Sequence, residues 1–472
     1  MPQIQGVILA AGLGKRMRSD IPKVLHKICG QPILTHLTQT LKLAGISTPI
    51  IVCPPPPIDF SETLGSNFFY VIQASPDGTG SALLVSKEKV APSTTHILCA
   101  SGDSPLLKAD TITRLVNKNI GSKADITILT SPTSPQEGLG RVIRDKSQKI
   151  TGIVEERMAN EQQIAINEVN GGVYCFRTEH LWRRLASLKT SQNGEVLLTD
   201  LITSTISDGG KVDNLEVEHS WEILGVNTRV QLATAATILR KSIRCYWMNQ
   251  GVTILDPTST FIDSSVNIGM DTTIHPNTHL NGTTQIGKQC ELGPNSIIID
   301  TTVGDACLIF GSIISGSEIG RHSNIGPFSN IRPNSKISSD VHIGTSVEIK
   351  ESYIGTGTKI GHFSYIGNSE LGKNVNIGAG TVTCIFDGLT KNPTFIADND
   401  FIGSGTMIIP PITIGKNAST GAGSIVTHDI PAGKLAFGNP ANLREIKKPN
   451  PHSSPNTPSK LPNRSKSKKN TD

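Results

Sequence analysis

The chain has 472 residues, which is enough for two or three domains that each bury a sizeable core. Its eight cysteines contain no CxxC pair, so we expect no zinc site and interpret the thiols as small buried groups in a reducing compartment. The N-terminal segment carries neither a basic stretch nor a long apolar run, which predicts a cytoplasmic protein without a signal peptide or a membrane span.

The net charge of +5 comes from the last residues of the chain. From Arg444 onward there are eight Lys or Arg and two acidic residues, a local charge of +6, so the preceding residues together carry −1. Residues 443–472 are rich in Pro, Ser, Asn and Lys without apolar periodicity, and we predict that this basic tail is disordered. It is interpreted either as a solubilising extension or as a weak attractor of nucleic acid or an acidic partner.

Residues 1–228 alternate between apolar strands and helical segments. Strands are predicted at 4–10, 49–52 and 96–100, and helices at 33–44, 80–89 and 109–119. This alternation is typical of a mostly parallel, doubly wound α/β sheet, in which ligands bind beyond the carboxyl ends of the strands. Gly12 and Asp103 each follow one of these strands, so both are expected at that edge of the sheet.

A glycine-containing loop follows the first strand and reads LAAGLGKRM over residues 9–17. Its glycines allow the backbone to approach phosphate oxygens closely, and the N-terminus of the following helix favours anions. The loop has neither the third glycine of a dinucleotide fingerprint nor the Lys-Ser/Thr pair of a P-loop. Lys23, in the PKVL segment at 22–25, is suitably placed to pair with a phosphate.

The second half of the chain has a different periodicity. Residues 229–249 place apolar side chains at three- and four-residue steps, which predicts a linker helix over 229–250. From about 262 to 426 an aliphatic residue returns every six positions, as at Ile319, Ile325 and Ile331. A period of six fits neither a helix nor a flat strand, and it predicts a hexapeptide-repeat parallel β-helix over 251–442. Small residues next to these aliphatic positions are predicted at the corners: Gly320, Gly326, Gly344, Gly361, Gly372 and Gly378.

Four polar residues interrupt the small-residue background of this repeat: Arg332, Lys350, His362 and Tyr365. Arg332 and Lys350 are 18 residues apart and should lie directly above one another, where an anion such as a sugar phosphate would relieve their repulsion. His362 follows Lys350 by 12 residues, another multiple of six, which predicts an equivalent corner or face. Histidine has a free pKa near ~6.5, which suits a general base that takes a proton from an attacking amine.

The N-terminal motifs resemble those of sugar-nucleotide pyrophosphorylases, which join a nucleoside triphosphate to a sugar 1-phosphate. After LAAGLGKRM and PKVL, the matching segments are QASPDGTG at 73–80, SGD at 101–103, GLGR at 138–141, GIVE at 152–155, EVNGG at 168–172 and GVN at 225–227. The resemblance implies that Gln73 reads uracil and that Asp103 and Asn227 bind Mg²⁺, a cation that balances the charge gathered in nucleotidyl transfer. The implied nucleotide- and sugar-binding residues are Leu9, Ala10, Ala11, Gly12, Arg16, Lys23, Gln73, Gly78, Thr79, Ser101, Gly102, Asp103, Gly140, Glu155, Asn170 and Asn227.

The motifs of the repeat region are EIK at 348–350, GHFSY at 361–365 and NVNIGAG at 374–380. Together with the N-terminal motifs they resemble the bacterial bifunctional N-acetylglucosamine-1-phosphate uridyltransferase / glucosamine-1-phosphate acetyltransferase family, over roughly residues 4–440. The resemblance implies a left-handed β-helix, a homotrimer whose acetyltransferase sites are shared between subunits, and His362 as the base. The implied sugar-phosphate residues are Arg332, Lys350, Tyr365, Asn376 and Lys391. The implied acetyl-CoA residues are Ala379, Ile385, Phe386, Ser404, Ala422 and Asn439.

The chain departs from this family pattern at two places near the expected acetyl-CoA site. Ile385 and Phe386 replace a polar amide and a hydroxyl, and Asn439 stands where an arginine is expected. Loss of one charge-assisted hydrogen bond costs on the order of 1.5–3 kcal/mol, so we expect a weakened affinity for acetyl-CoA.

The resemblance implies a bifunctional enzyme that makes UDP-N-acetylglucosamine from UTP, acetyl-CoA and glucosamine 1-phosphate through N-acetylglucosamine 1-phosphate. The resemblance further implies a role in peptidoglycan precursor supply, with no membrane partner and no specific nucleic-acid partner. Two alternatives remain open. One is a monofunctional pyrophosphorylase with a non-catalytic, oligomerising β-helix, and the other is a non-catalytic scaffold for protein interaction.

Overall fold

The computed structural model describes residues 2–12, 14–56, 59–134, 136–191 and 194–445, which divide into two compact units. One unit comprises residues up to 289 together with 297–300, and the other comprises 290–296 and the residues from 301 onward. Of the predicted basic tail, residues 446–472 lie outside the described residues.

A nine-stranded sheet forms the centre of the first unit. The strands of this region are β1 (Ile4–Leu9), β2 (Lys27–Ile28), β3 (Gln31–Pro32), β4 (Ile50–Cys53), β5 (Phe69–Ile72), β6 (His96–Ser101), β7 (Ile126–Ser131), β8 (Arg141–Arg144), β9 (Ile150–Val154), β10 (Val169–Arg177) and β11 (Val212–Glu216). The main path is β11-β7-β10-β6-β1-β4-β5, while β2 and β3 form a separate hairpin. On this path neighbours pair in parallel except β10, which is antiparallel to both β6 and β7. Beside the path, β8 pairs antiparallel with both β9 and β10. The predicted doubly wound α/β sheet is confirmed.

Helices cover both faces of this sheet. They are α1 (Ile33–Leu43), α2 (Ser61–Leu64), α3 (Thr79–Val85), α4 (Ala109–Ser122), α5 (Glu161–Ile164), α6 (Thr178–Ala186), α7 (Asp200–Ser207) and α8 (Arg229–Asn249). Successive strand residues point to opposite faces, so Ile8 packs in one core with α1 and α4, and Val7 packs in the other with α3, α6 and α7. Within the described part of the chain, no helix is both long and apolar enough to cross a membrane.

Helix α8 coincides with the predicted linker helix. A capping box defines its start: the Thr228 hydroxyl accepts from the Gln231 amide at 3.2 Å, and the Gln231 side chain accepts from the Thr228 amide at 3.0 Å. Its residue Ala235 is buried against Ile33 and Val226, which anchors the helix to the α/β domain.

The repeat region consists of short parallel strands. In chain order these are β12 (Thr253–Ile254), β13 (Phe261–Ile262), β14 (Asn267–Ile268), β15 (Thr273–Ile274), β16 (His279–Asn281), β17 (Gln285–Ile286), β18 (Glu291–Leu292), β19 (Ile297–Ile299), β20 (Thr302–Val303), β21 (Leu308–Ile309), β22 (Ile313–Ser315), β23 (Glu318–Ile319), β24 (Asn324–Ile325), β25 (Asn330–Ile331), β26 (Lys336–Ile337), β27 (His342–Thr345), β28 (Glu348–Lys350), β29 (Tyr353–Ile354), β30 (Lys359–His362), β31 (Tyr365–Gly367), β32 (Ser369–Leu371), β33 (Asn376–Ile377), β34 (Val382–Thr383), β35 (Thr394–Ile396), β36 (Phe401–Ile402), β37 (Met407–Ile408), β38 (Ile412–Ile414), β39 (Ser419–Thr420), β40 (Ile425–Val426), β41 (Lys434–Gly438) and β42 (Ala441–Glu445). In the first unit β12 pairs with β15, β14 with β17, and β13, β16 and β19 follow one another.

In the second unit, every third strand belongs to the same sheet, so three sheets enclose a common interior. We call them sheet I (β18, β21, β24, β27, β30, β33, β36, β39, β41, β42), sheet II (β22, β25, β28, β31, β34, β37, β40) and sheet III (β20, β23, β26, β29, β32, β35, β38). The predicted aliphatic positions are buried, among them Ile325, Ile331 and Ile337. The hexapeptide-repeat β-helix is therefore confirmed. Its last strand, β42, pairs with β41 and runs to Glu445, three residues past the predicted boundary at 442.

The corner prediction was only partly right. Of the six predicted corner glycines, Gly326 has a positive φ, whereas the left-handed positions of the coils are mostly held by other residues, such as Asn334, Asn374 and Asn417. All of the predicted corner glycines except Gly361 lie so close to the neighbouring coil that a Cβ would clash with it. A Cβ on Gly344 would lie 2.0 Å from the Gly361 carbonyl oxygen. Asparagine adopts the left-handed conformation at modest cost, which is why the corners need no glycine.

Candidate active sites

An open cleft of about 1070 Å³ lies at the carboxyl ends of the parallel strands of the first unit. Twelve of the predicted nucleotide- and sugar-binding residues line it: Leu9, Ala10, Ala11, Gly12, Arg16, Lys23, Gln73, Gly78, Thr79, Ser101, Asp103 and Glu155. The loop after β1 and the end of β6 meet because the Gly102 amide donates to the Leu9 carbonyl at 2.9 Å. Glycine suits this close approach, since a Cβ on Gly102 would lie 3.0 Å from that oxygen.

Lys23, Asp103 and Asn227 converge at this edge of the sheet. The Lys23 ammonium donates to Asp103 Oδ2 at 2.5 Å and to Asn227 Oδ1 at 2.8 Å, and the Ser101 hydroxyl donates to Asp103 Oδ1 at 2.6 Å. Burial alone would raise the pKa of Asp103, but the Lys23 ammonium and these hydrogen bonds hold the pKa below its ordinary value. The carboxylate is therefore ionised at neutral pH.

Asn227 reaches this cluster because of the start of α8. Its amide donates to the Gln231 side chain of the capping box at 2.8 Å, and the preceding Val226 amide donates to the Asp103 carbonyl at 2.9 Å. One carboxylate oxygen and one amide oxygen thus point at a single cation, the ammonium of Lys23. Both are oxygen donors of the kind that Mg²⁺ prefers, so the residues fit the predicted metal ligands.

The glycine-rich segment after β5 packs against the chain segment that precedes α7. The Gly80 amide donates to the Val196 carbonyl at 2.8 Å, and a Cβ on Gly78 would lie 2.3 Å from the same oxygen. The Gln73 side-chain nitrogen donates to Asp77 Oδ1 at 2.9 Å and to the Gly78 carbonyl at 3.1 Å. This anchoring orients the amide group, so Gln73 Oε1 remains to accept a hydrogen bond from a ligand.

The predicted sugar-binding residues form a second group in the first unit. The Asn170 amide donates to the Gly140 carbonyl at 2.9 Å, and a Cβ on Gly140 would lie 3.8 Å from Glu155 Oε2. The Asn170 side chain donates to the Tyr174 hydroxyl at 2.7 Å. Burial raises the pKa of Glu155, although the Thr199 hydroxyl donates to it at 2.9 Å.

Sequence reasoning missed several partners that hold these groups. Glu156 accepts from the Gly138 amide and from Arg141, both at 2.7 Å, and so fixes the loop that carries Gly140. Arg157 donates to Glu195, and both side chains line the cleft. The GIVE motif ends directly before Glu156 and could have pointed to it. Thr199 and Glu195, which contact Glu155 and Arg157, are about 40 residues away in sequence and had no local signal.

The second unit carries a group of cationic side chains along sheet II. The pairing of Ile331 with Ile349 places Arg332 next to Lys350 one coil on, as predicted. Arg332 donates to Glu348 at 3.0 Å, and the Lys350 ammonium lies 3.3 Å from a Glu351 carboxylate oxygen. Lys391 contacts Lys350, and the contact raises the pKa of Lys350 and lowers that of Lys391.

Tyr365 belongs to the same sheet as this cationic group. Glu348 pairs with Tyr365, and Lys350 pairs with Gly367. A Cβ on Gly367 would lie 2.6 Å from the Tyr365 hydroxyl, so the tyrosine side chain lies over this glycine. The arrangement offers two neighbouring cations and a hydroxyl, which suits a phosphorylated sugar.

His362 and Lys350 do not lie on the same face of the β-helix, contrary to the prediction. His362 lies at the end of β30 in sheet I, whereas Lys350 lies in sheet II, because a spacing of 12 residues moves two faces along the coil. The residue paired with Lys350 in the next coil is Gly367, 17 rather than 18 residues on. His362 is exposed, and its carbonyl accepts from the Ser364 hydroxyl at 2.8 Å.

His362 begins a column of small residues along one corner of the β-helix. Backbone hydrogen bonds join successive coils here. The Gly405 amide donates to the Ala379 carbonyl at 2.7 Å, and the Gly423 amide donates to the Ser404 carbonyl at 2.8 Å. Three of the predicted acetyl-CoA residues therefore form a row above His362: Ala379, Ser404 and Ala422.

The predicted acetyl-CoA residue Ile385 is buried, and its amide and carbonyl bond to Thr383 and Asn392. The amide is therefore used within the chain, while the carbonyl oxygen keeps a second lone pair that a ligand can use. Phe386, by contrast, is 63% exposed and pairs with Lys391 across the loop.

Asn376 and Asn439, the two predicted asparagines of the second unit, lie apart from the cationic group. Asn376 lies on β33 in sheet I, paired with Lys359 and Phe401, and thus not on the sheet of Arg332 and Lys350. Asn439 is exposed at the turn between β41 and β42.

Comparison with known proteins adds independent information. Residues 6–204 match the MobA-like NTP transferase domain. The chain is 43% identical to the bifunctional protein GlmU of Caldanaerobacter subterraneus subsp. tengcongensis, over 93% of this chain and 95% of that protein. It is 42% identical to bifunctional protein GlmU of Carboxydothermus hydrogenoformans over 94% and 99% of the two chains, and 40% identical to that of Heliobacterium modesticaldum over 91% and 94%.

Proposed function

Because the chain belongs to the bifunctional GlmU family, we propose that it makes UDP-N-acetylglucosamine with two active sites in one polypeptide. The repeat region transfers acetyl from acetyl-CoA to the amine of glucosamine 1-phosphate. The α/β domain then joins N-acetylglucosamine 1-phosphate to UTP and releases pyrophosphate. The observation that carries this function is the presence, in one chain, of the cluster of Lys23, Asp103 and Asn227 and the cationic group around Arg332 and Lys350.

In uridylyl transfer, the phosphate oxygen of N-acetylglucosamine 1-phosphate attacks the α-phosphorus of UTP, and the bond to pyrophosphate breaks. Arg16 and Lys23 line the cleft where these phosphates would gather, and backbone amides of the loop after β1 add further donors. Mg²⁺ bound by Asp103 and Asn227 would neutralise the triphosphate charge. The remaining work is positioning, since no protein group has to form a covalent bond.

Selectivity for uracil follows from the orientation of Gln73. Its side-chain nitrogen is held by Asp77 and Gly78, so the carbonyl oxygen accepts from the ring N–H of uracil. Cytosine has an acceptor at that ring position and would be rejected. Glu155 and Asn170 would hold the sugar hydroxyl and acetamido groups with their oxygen and amide atoms.

In acetyl transfer, Arg332, Lys350 and Lys391 would bind the phosphate of glucosamine 1-phosphate. His362 would take the proton as the amine attacks the thioester carbonyl and the coenzyme A thiolate leaves. The row of Ala379, Ser404 and Ala422 would accept the coenzyme arm, because small side chains leave a groove along the corner.

We further propose that the chain works as a homotrimer. Arg332 and Lys350 lie on sheet II, whereas His362 and Asn376 lie on sheet I. A site shared between neighbouring subunits would bring the base of one chain to the phosphate cations of another. Since UTP and acetyl-CoA are metabolites of the cytoplasm, the proposal includes a cytoplasmic location, and the product would supply peptidoglycan synthesis.

Two variants test the two activities separately. We expect Asp103→Asn to lose pyrophosphate release from UTP and N-acetylglucosamine 1-phosphate while it keeps thiol release from acetyl-CoA and glucosamine 1-phosphate. His362→Ala should do the reverse. If the unmodified chain releases no thiol, it is a monofunctional pyrophosphorylase. This outcome is worth testing because the predicted acetyl-CoA residue Ile385 is buried. Absence of both activities would favour the scaffold.

A further inference from the structure

The Lys23 ammonium occupies the position between the two oxygens that would bind Mg²⁺. It lies 2.5 Å from Asp103 Oδ2 and 2.8 Å from Asn227 Oδ1. Both charged side chains are largely buried, at 14% and 11% exposure. The contact is therefore well shielded from water, and the interaction is correspondingly strong.

Mg²⁺ and this ammonium cannot share the two oxygens in the observed arrangement. Magnesium binds oxygen at about 2.0–2.1 Å, closer than the ammonium nitrogen, so both cations would occupy nearly the same volume. Two positive charges a few ångströms apart in a poorly hydrated place also repel strongly. Metal binding to Asp103 and Asn227 consequently requires the Lys23 side chain to leave.

The surroundings of Lys23 indicate what draws it away. Its Cβ lies against the phosphate-type loop, at 2.7 Å from the position that a Cβ on Gly14 would take. Lys23 lines the same cleft as Arg16, and phosphate oxygens held there would compete for its ammonium. A rotation about its own side-chain bonds suffices, since its backbone is already beside the loop.

We propose that Lys23 excludes divalent metal from Asp103 and Asn227 until the nucleotide triphosphate withdraws its ammonium. Lysine then has two successive partners, first the metal ligands and afterwards the phosphates. This inference rests on the proposed uridyltransferase function, and it adds an order of binding: the metal enters this site with or after the nucleotide. Free Mg²⁺ therefore does not occupy the site of the nucleotide-free enzyme.

Mn²⁺ binding to the full-length, nucleotide-free protein tests the proposal by electron paramagnetic resonance, without reference to turnover. We expect Lys23→Met to bind Mn²⁺ about tenfold or more tightly than the unmodified chain, a factor within the usual range of coupling between sites. Lys23→Arg keeps the cation and should bind as weakly as the unmodified chain. Lys15→Met removes another lysine of the same cleft, and its Mn²⁺ affinity should stay unchanged.

Two further measurements make the result decisive. Mn²⁺ should raise the thermal midpoint of Lys23→Met more than that of the unmodified chain, and this also shows that the variant folds. Adding Asp103→Asn to Lys23→Met should abolish the gained Mn²⁺ binding. If Lys23→Met binds Mn²⁺ no more tightly than the unmodified chain, the proposal is overturned. The uridyltransferase function is judged separately, by the loss of pyrophosphate release in Asp103→Asn.

Discussion

Asp400 is a buried carboxyl group in the interior of the β-helix, and replacing it with threonine should stabilise the protein at neutral pH. It is 1% exposed, and its Oδ1 accepts from the Ala418 amide at 2.8 Å. Among the described residues, Asp400 Oδ2 has no hydrogen-bond partner. Thr358 holds the equivalent position two coils earlier, where its hydroxyl accepts from the Val375 amide at 3.1 Å and donates to the Gly372 carbonyl at 2.9 Å.

The magnitude follows from the pKa of the carboxyl group. Burial raises the pKa of Asp400 from 3.8 to about 7, because the loss of hydration outweighs the stabilisation of the carboxylate by the Ala418 amide and other nearby backbone amides. At about 1.4 kcal/mol per pKa unit, this shift sets an upper limit of about 4 kcal/mol on the cost of ionising the group in the folded protein. Relaxation of the coil and entry of water reduce such costs, so we expect a gain of about 2 kcal/mol for Asp400→Thr at pH 8.

The sign of the pH dependence is specific. A carboxyl group with a raised folded-state pKa contributes no penalty below pH 3.8, and its penalty grows as pH rises towards 7. Thermal unfolding of the unmodified chain and of Asp400→Thr should be measured from pH 5 to 8. The difference between their free energies of unfolding should be small at pH 5 and more than double by pH 8. Asp400→Asn removes the charge but buries an unpaired amide. Its free energy of unfolding should therefore lose this pH dependence and increase less than that of Asp400→Thr. An equal difference at pH 5 and 8 would mean that packing, and not ionisation, is responsible.

Three further predictions concern the two active sites. Gln73→Ala should lower kcat/KM for UTP roughly tenfold to hundredfold and reduce discrimination against CTP in steady-state assays, because one oriented hydrogen bond to the base is lost. Gly78→Ala should reduce pyrophosphate release about tenfold or more and leave thiol release unchanged, since its φ of 114° and the nearby Val196 oxygen exclude a side chain. Lys350 lowers the pKa of Lys391, so Lys391 should lose its proton at a lower pH than other lysines. The KM for glucosamine 1-phosphate should therefore rise with pH in a steady-state pH series, and Lys391→Arg should remove this rise.

Matched variants separate these effects from general damage. Gly121→Ala adds a methyl group in open space on helix α4 and should leave both activities intact. Retention of UTP preference in Gln73→Ala would refute the assigned orientation of the amide. A flat pH series in the unmodified chain would show that Lys391 keeps its proton beside Lys350.

The sequence was most informative where structure depends on neighbouring residues. Helix α8 was predicted correctly from apolar side chains at three- and four-residue steps, and the structure adds that a capping box of Thr228 and Gln231 begins it. The interior of the β-helix was likewise predicted from a repeat of six residues, since each coil buries the same kind of side chain. Asp400 broke no visible motif, and only the structure shows that it occupies the position held by Val375 and Thr358 in the two preceding coils.

Contacts between distant segments were the part that sequence could not supply. Lys23 lies 80 residues from Asp103 and 204 residues from Asn227, so no spacing rule connects them. Lys23 and Asp103 were identified from their places after the loop and the strand, and Asn227 only through resemblance. Lys23 was assigned to a phosphate and not to the metal ligands. Its partner in the structure depends on the pairing of β1 with β6 and on the cap of α8, which are tertiary features.

The position of His362 shows that a multiple of six residues does not by itself place two residues on the same face. Each coil has three faces of about six residues, so residues 12 apart lie on different faces. Only a full turn, which is 18 residues from Ile331 to Ile349 and 17 from Ile349 to Ile366, returns to the same sheet. Arg332 and Lys350 satisfy this condition, whereas His362 does not. His362 and the cationic pair of one chain therefore lie on different faces of the β-helix. This separation supports the proposed homotrimer, in which His362 of one subunit would meet the cationic pair of a neighbouring subunit.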